Sequence, residues 1–444
     1  MRECPEKGGD CLTARAAGVW KGNGMREEQK QRLLSLLRQK KRLLLTGTPG
    51  VGKTFLAQEV AKNGGMRYFT FELPMDAAFC EQIRQEGLLS AVQALTAETW
   101  TGERQETFLY LLDGVEALGK EALQKLLFGP LPEHLILITS RRDWFFGADP
   151  IRLPEEMREE TVLPYDFEDF LRAMGNEWYL EILKAHAERK KPIPELVLEE
   201  LNDCLYDYLL AGGYPTVVRS YQTLRGDLGG IRAAQKRAYA AIALDLFSEE
   251  ALPAGVSATR LRQLLRLVAE ASDRFSAPSF TAIRKGATKQ QFQGELSYLL
   301  ANGLLLAVER DGQDYRYEFT DSGLLRYFRT DYEPFLHLEE APCPKYILQQ
   351  YVYSTLWRYQ IPVQSWRSGR GAQISFFSRD GSWALDCSNH RGGYRRNQQS
   401  FLREHPDTKL YTCGLSPEQG LLYVALEPIL KQISERKRLT DTHY

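Results

Sequence analysis

The sequence predicts a modular chain of the α/β class. A three-layer domain with a parallel sheet comes first, then a helical segment, then three helices with a two-stranded wing, and last a small α/β layer. Three observations carry this prediction. At 444 residues the chain is longer than one ordinary core, since a domain takes up about 100–200 residues. Short apolar runs alternate with helical patterns in the first third, as parallel strands with crossover helices require. Beyond about Pro164 the strand signals fade, and helices closed by Gly and Pro replace them.

Residues 1–26 read as an N-terminal extension. The run MRECPEKGGDCLTAR has charges of both signs and no apolar stretch, so a secretory signal is not expected. Residues 27–163 form the first domain. EEQKQRLLSLLRQKKR places Leu33, Leu34, Leu36 and Leu37 among charges, the pattern of an amphipathic helix. LLLTG is a buried parallel strand, followed by a Gly-rich turn and the helical TFLAQEVAKN. FLYLLD and LILITS are two further strands, separated by the helical EALGKEALQKLLF. Residues 164–257 read as a helical lid, through FEDFLRAMG, EWYLEILKAHAERK and PELVLEELNDCLYDYLLAGGYP.

Residues 258–340 read as a winged helix. TRLRQLLRLVAEAS, SFTAIRKGA and KQQFQGELSYLLANG are its helices, and LLLAVER and YRYEFT form the wing around the turn Asp311-Gly312. In residues 341–431 the order is helix (YILQQYVYSTLWR), strands (AQISFFSRDG and SWALDCS), helix (NQQSFLREH) and strand (KLYTCG). Residues 432–444 read as a solvated tail.

Composition excludes several classes. Hydrophobic residues at 43% and charged residues at 26% are globular values. The longest apolar stretch, Leu296 to Val308, is broken by Asn302 and Gly303 and is shorter than the roughly 18 residues of a membrane span. No membrane partner and a cytoplasmic location are the expectation. Seven cysteines are scattered without a CxxC pair, which suggests neither a disulfide framework nor a zinc site. A formal net charge of −1 argues against coating nucleic acid by bulk electrostatics.

Gly47-Thr48-Pro49-Gly50-Val51-Gly52-Lys53-Thr54 matches GxxxxGK[ST] in full and lies between a predicted strand and a predicted helix. Glycines let backbone N–H groups turn inward around a β-phosphate, and the helix N-terminus adds its dipole. Lys53 would balance β- and γ-phosphate charge, and the Thr54 hydroxyl would coordinate magnesium. The implied ligand is a nucleoside triphosphate, ATP with Mg2+. The motif reads phosphates, so GTP stays open as the base.

The strand Phe108–Asp113 ends in a carboxylate, and Asp113 would hold the magnesium shell. Gly114 follows it where many ATPases have a glutamate, so the next carboxylate is Glu116. Glu116 is either the base that polarises the attacking water or a cap of the first turn after the strand. After the next strand, Thr139 and Ser140 offer a hydroxyl as γ-phosphate sensor. Arg141 and Arg142 follow and are left open, because an arginine finger supplied in trans would need an oligomer. Arg219, downstream of Gly212-Gly213-Tyr214-Pro215, is a weaker candidate from the lid.

The segment from Thr288 to Ala301 would be the recognition helix if the winged helix read DNA, yet its own cation is Lys289, with Arg284 and Lys285 just before it. Contact with a protein partner is the favoured use of this module.

In the order of its motifs the chain resembles a bacterial and archaeal family of AAA+-like ATPases, in which a P-loop domain is joined to a helical lid, a winged helix and a C-terminal restriction-endonuclease-like domain. The resemblance rests on GTPGVGKT, LLD, TVLPYDFEDFL, LLAGGYP, LANGLLLAVER and FTDSGLL, and covers most of the chain. It implies ATP binding and slow hydrolysis, with nucleotide state positioning the later domains against a partner.

Two departures bear on activity. Asp113-Gly114 replaces the family's Asp-Glu. In the last domain, Gln373-Ile374-Ser375-Phe376 and Leu385-Asp386-Cys387-Ser388 stand where the family has Glu-Ile-Asp-Phe and an apolar-Glu-Val-Lys strand. Asp386 alone keeps a carboxylate there, and one acid holds a catalytic magnesium poorly. The resemblance therefore implies a kept nuclease fold with lost nuclease chemistry. Arg391, Arg395 and Arg396 read as phosphate contacts or plain surface. Two rivals follow: a nucleic-acid-binding adaptor whose affinity ATP modulates, and, ranked lowest, an active metal-dependent nuclease.

Overall fold

The computed structural model describes residues 26–99, 108–147, 149–189, 193–224, 227–271, 280–283, 285–310, 314–329, 345–387 and 396–413. Residues 1–25 of the N-terminal extension, the turn Asp311-Gly312, Arg284, Ser388, Arg391, Arg395 and the 432–444 tail lie outside the described residues. The chain divides into two compact units. The first runs to Leu163 and takes in Ala240–Ala254 and Ser297–Gly303; the second holds the rest.

In the first unit, α1 (Glu27–Arg38), β1 (Arg42–Thr46), α2 (Lys53–Asn63), β2 (Arg67–Glu72), α3 (Ala77–Glu86), α4 (Leu88–Thr99), β3 (Phe108–Asp113), α5 (Lys120–Leu127), β4 (Leu135–Ile138), α6 (Asp143–Phe146) and β5 (Met157–Thr161) follow one another. All five strands are parallel, in the order β2-β3-β4-β1-β5. The three central strands were legible as apolar runs because both faces are covered; β4 is buried at every position. The edge strands β2 and β5 read RYFTFE and MREET, with a mixed burial pattern that no apolar run marks.

Register sets the level of the functional ends. Leu45 of β1 and Asp113 of β3 both pair with Ile138 of β4. Three loops therefore leave the sheet side by side at its carboxyl edge, where open parallel sheets bind ligands.

The second unit carries α7 (Phe167–Ala173), α8 (Trp178–Arg189), α9 (Glu195–Ala211), α10 (Pro215–Thr223) and the start of α11 (Leu228–Leu246), as the predicted helical segment requires. It continues with α12 (Ala258–Ala271), the start of α13 (Gln293–Ala301), β6 (Leu305–Arg310), β7 (Asp314–Phe319), α14 (Ser322–Phe328), α15 (Lys345–Arg358), β8 (Val363–Arg367), β9 (Gln373–Ser378), β10 (Trp383–Cys387), α16 (Arg396–Glu404) and β11 (Lys409–Cys413). A 3-10 turn at Lys289–Phe292 precedes α13. It is opened by a capping box in which Thr288 and Gln291 satisfy each other's backbone N–H.

The strands β6 and β7 pair antiparallel as the predicted wing does. They also join a six-stranded sheet of order β11-β10-β9-β8-β6-β7, through a parallel contact of Glu309 and Arg310 with Gln364 and Ser365. Three separated sequence motifs meet in this unit. The Tyr165 amide of LPYDF donates to the Gly213 carbonyl of AGGYP (2.7 Å). The Gly213 amide donates to Asp321 Oδ2 of FTDSG (2.6 Å), while Asp321 Oδ1 caps α14 through the Leu324 amide (2.9 Å). These motifs share one buried knot, so their order along the chain reports a common structural need. No helix among the described residues is long and apolar enough to cross a membrane.

Candidate nucleotide-binding site

The glycine-rich loop leaves β1 against the backbone that follows β5. The Val162 amide donates to the Thr46 carbonyl (2.7 Å). A Cβ on Gly47, whose φ is +145°, would stand 2.2 Å from the Val162 carbonyl oxygen. Only glycine lets the loop leave the strand there. Gly52 caps α2 with no side-chain cap, which leaves the first-turn amides of Lys53 and Thr54 turned toward the loop.

Lys53 is 7% exposed. Its ammonium donates to the Gly47 carbonyl (2.9 Å), the Thr48 carbonyl (3.2 Å) and Ser140 Oγ (3.0 Å). Burial pushes its pKa down to about 8, against the opposing pull of Glu116, Asp113 and Asp245. The Thr54 hydroxyl donates to Asp113 Oδ2 in a short bond. A magnesium ion of a P-loop site takes few protein ligands and fills its octahedron with phosphate oxygens and water. A hydroxyl and a carboxylate already side by side fit that demand.

The departure at Gly114 has a steric cause. Its φ is +73°, and a Cβ there would lie 2.5 Å from the ring of Pro74. A glutamate directly after Asp113 has no room. The carboxylate arrives instead from Glu116, in the first turn of a 3-10 helix (Val115–Leu118), where it also takes a hydrogen bond from its own backbone N–H. Glu116 Oε1 accepts the Ser140 amide (3.3 Å), and the Thr139 hydroxyl bonds its carboxylate as well. Its Oε2 is buried and has no hydrogen-bond partner. Burial raises its pKa. A carboxylate with one oxygen held and the other open is suited to accept a proton.

The two sensor candidates divide their work. Ser140 meets Lys53, whereas Thr139 Oγ1 accepts the Arg141 amide (3.0 Å) and supports Glu116. Arg141 is held in a two-pronged ion pair with Asp143, both contacts 2.9 Å. Arg142 donates to the Ala301 carbonyl (2.9 Å) and lies over the Phe146 ring. Both arginines anchor their own loop. Arg219 is exposed on α10, which belongs to the second unit.

Two residues of the site had no signal in the sequence. Asp245, near the end of α11, acts electrostatically on Lys53 and has both Lys53 and Asp113 among its own charged neighbours. Arg26 donates from Nη2 to the carbonyls of Val51 (2.7 Å) and Leu163 (2.5 Å). Neither falls within a motif spacing.

In the second unit Asp386 and Ser375 are hydrogen-bonded within the fold. Asp386 accepts from Gln398 Nε2 (2.9 Å) and lies 3.5 Å from Lys345 Nζ. Ser375 Oγ accepts from Gln349 Nε2 (3.1 Å) and from the Cys387 amide (3.0 Å). Among the described residues no three His, Cys, Asp or Glu side chains group as a metal cage.

Lys289, the cation of the predicted recognition helix, faces the rings of Tyr315 and Tyr317 on β7, at 5.4 and 5.6 Å. Lys285 is exposed just before it.

A parallel sheet with a phosphate loop, a strand-tip aspartate and a buried lysine defines a P-loop nucleotide-binding domain. Residues 43–125 match the model of the ATPase family associated with various cellular activities (AAA). The chain thus carries an AAA-type, ATP-binding P-loop ATPase domain over a stretch short of half its length. No curated protein matches the sequence.

Among solved structures, the chain is similar to a Walker-type ATPase of Pyrococcus abyssi, with 15% identity, 68% of this chain and 95% of that one covered, and a TM-score of 0.45. It is also similar to the RuvB Holliday junction branch migration motor of Thermotoga maritima (15% identity, 66% and 92% covered, TM-score 0.29). A third similarity is to PCH-2 of C. elegans (16% identity, 49% and 68% covered, TM-score 0.28).

Proposed function

We propose that this protein is a slow ATPase in which Lys53 and the amides of Gly47–Thr54 hold the phosphates, Thr54 and Asp113 hold magnesium, and Glu116 is the general base. Magnesium, when bound, would neutralise charge on the β- and γ-phosphates. The observation that carries the reading is the linked set of Lys53, Ser140, Glu116, Asp113 and Thr54 at the ends of three adjacent strands.

On this reading the γ-phosphate displaces the Lys53 ammonium from the carbonyls of Gly47 and Thr48 and draws it outward with Ser140. Glu116 then takes the proton of the attacking water on its open Oε2. Nucleotide state would in turn set the position of the helical lid (164–257), the winged helix (258–340) and the nuclease-like domain (341–431) against a partner, as P-loop switches do. A protein partner is favoured over DNA because Lys289 is engaged by the wing tyrosines. The helix–strands–helix–strand order of α15 to β11 supports a nuclease-like fold, and the Gln349–Ser375 and Gln398–Asp386 bonds support its loss of nuclease chemistry.

The test is ATP binding and phosphate release for wild type, Lys53→Ala and Glu116→Gln, with magnesium and with EDTA. Binding lost in Lys53→Ala, and turnover lost with binding kept in Glu116→Gln, is the expected pattern. Turnover of Glu116→Gln at the wild-type rate would remove Glu116 from the chemistry. Binding without phosphate release in wild type would make the protein a nucleotide-gated scaffold.

A further inference from the structure

Arg26 stands outside every motif, yet it touches the phosphate loop. It precedes α1 and has a left-handed backbone, φ 54° and ψ 34°, which is uncommon for a residue with a side chain. That conformation is held in place, since the Arg26 carbonyl accepts the Lys30 amide (2.8 Å) at the start of α1. Its side chain runs inward and is 9% exposed. One nitrogen, Nη2, donates to two backbone carbonyls, Val51 within the loop and Leu163 just after β5.

The Val51 carbonyl belongs to the Val51–Gly52 peptide, which is trans and planar. In such a peptide the C=O and the N–H point to opposite sides. A donor that fixes the Val51 carbonyl on one side therefore fixes the Gly52 N–H on the other, and Gly52 is the residue from which the N-terminus of α2 opens. The Leu163 carbonyl keeps the guanidinium from following the loop, because that carbonyl lies on the strand extension that also holds Thr46 and crowds Gly47.

We infer that Arg26 is a positioning residue for phosphate binding: by holding the Val51 carbonyl it presets the Gly52 N–H toward the β-phosphate of a bound nucleotide. The inference rests on the nucleotide reading above. It assigns to the start of α1 a share in binding that GxxxxGK[ST] leaves out. A preset amide raises affinity by sparing the loop a reorganisation on binding. Because the amide serves the β-phosphate, ATP and ADP gain alike, in contrast to Lys53, which also answers to the γ-phosphate.

The test is the affinity of full-length wild type, Arg26→Gln and Arg26→Lys for ATP and for ADP, read by titration calorimetry with magnesium and accompanied by thermal melting. Arg26→Gln is expected to weaken both nucleotides by the same factor, about tenfold, as the loss of one preset charge-supported hydrogen bond implies. Arg26→Lys, with one cationic donor left, is expected to recover part of that factor for both.

Unchanged affinity of Arg26→Gln, or a loss confined to ATP, would overturn the inference while the nucleotide reading stands. A wild type that binds neither nucleotide would remove both. If Arg26→Gln melts too low to assay, Arg26→Lys decides, since a wild-type affinity for ADP in that folded variant with a wild-type melting curve would also overturn it.

Discussion

Lys53 gives the sharpest prediction, because its burial converts pH into affinity. In the free protein its pKa is pushed down to about 8 from an ordinary 10.5. A bound polyphosphate restores the ammonium, so the nucleotide complex keeps its proton to the usual lysine range or above. Only the charged form binds well. Affinity should therefore be flat below pH 8 and fall above it, by about tenfold near pH 9, equivalent to ~1.4 kcal/mol.

The free protein responds in the opposite sense. Between the folded and unfolded values the unfolded chain binds more protons at this site, so the contribution of Lys53 to stability rises with pH across that window. The assay is titration of ATP into wild type and Lys53→Arg at several pH values and constant ionic strength. The guanidinium of the variant does not titrate, so whatever binding it retains should be flat. A wild-type affinity unchanged up to about pH 9.5, or the same fall in both proteins, would refute the assignment of the lowered pKa to Lys53.

Three further outcomes are expected. Glu116→Gln should lower phosphate release by about 10²-fold or more with ATP affinity near wild type, as loss of a general base does, read in a coupled phosphate assay. Gly114→Glu, which writes the Asp-Glu pair of related ATPases into this chain, should lower thermal stability and give no gain in turnover, because Pro74 and a positive φ oppose any side chain there; a folded, faster variant would contradict the steric account.

Asp321→Asn should cost about 1–3 kcal/mol at neutral pH, since its amide nitrogen must face either the Gly213 or the Leu324 N–H. Burial raises the Asp321 pKa to about 6. Wild-type stability should therefore carry a component that falls as pH rises from about 4 to 6 and stays level above, and that component should be missing in the variant when both are unfolded in urea.

The sequence alone determined the phosphate loop and the class of its domain. GxxxxGK[ST] is a local motif, and the need for glycine, lysine and threonine at fixed spacing arises within eight consecutive residues. The central strands were equally legible, because burial on both faces demands continuous apolar runs. It also placed Asp113, Glu116, Thr139 and Ser140 near the ends of the right strands, but left Glu116 between two roles and did not divide the two hydroxyls.

Which side chains meet there follows from register. Ile138 lies between Leu45 and Asp113, and this brings Ser140 to Lys53 and Thr139 to Glu116. The edge strands β2 and β5, the parallel contact of β6 with β8, and the approach of Arg26 and Asp245 to the site were decided by tertiary structure alone. Each depends on residues far apart in the chain, such as Arg26 and Leu163, whose meeting is set by how helices and strands stack. A carbonyl held by a distant guanidinium, or a proline ring that denies a neighbour its side chain, leaves no periodicity and no spacing to read, because its partner is chosen by packing in three dimensions.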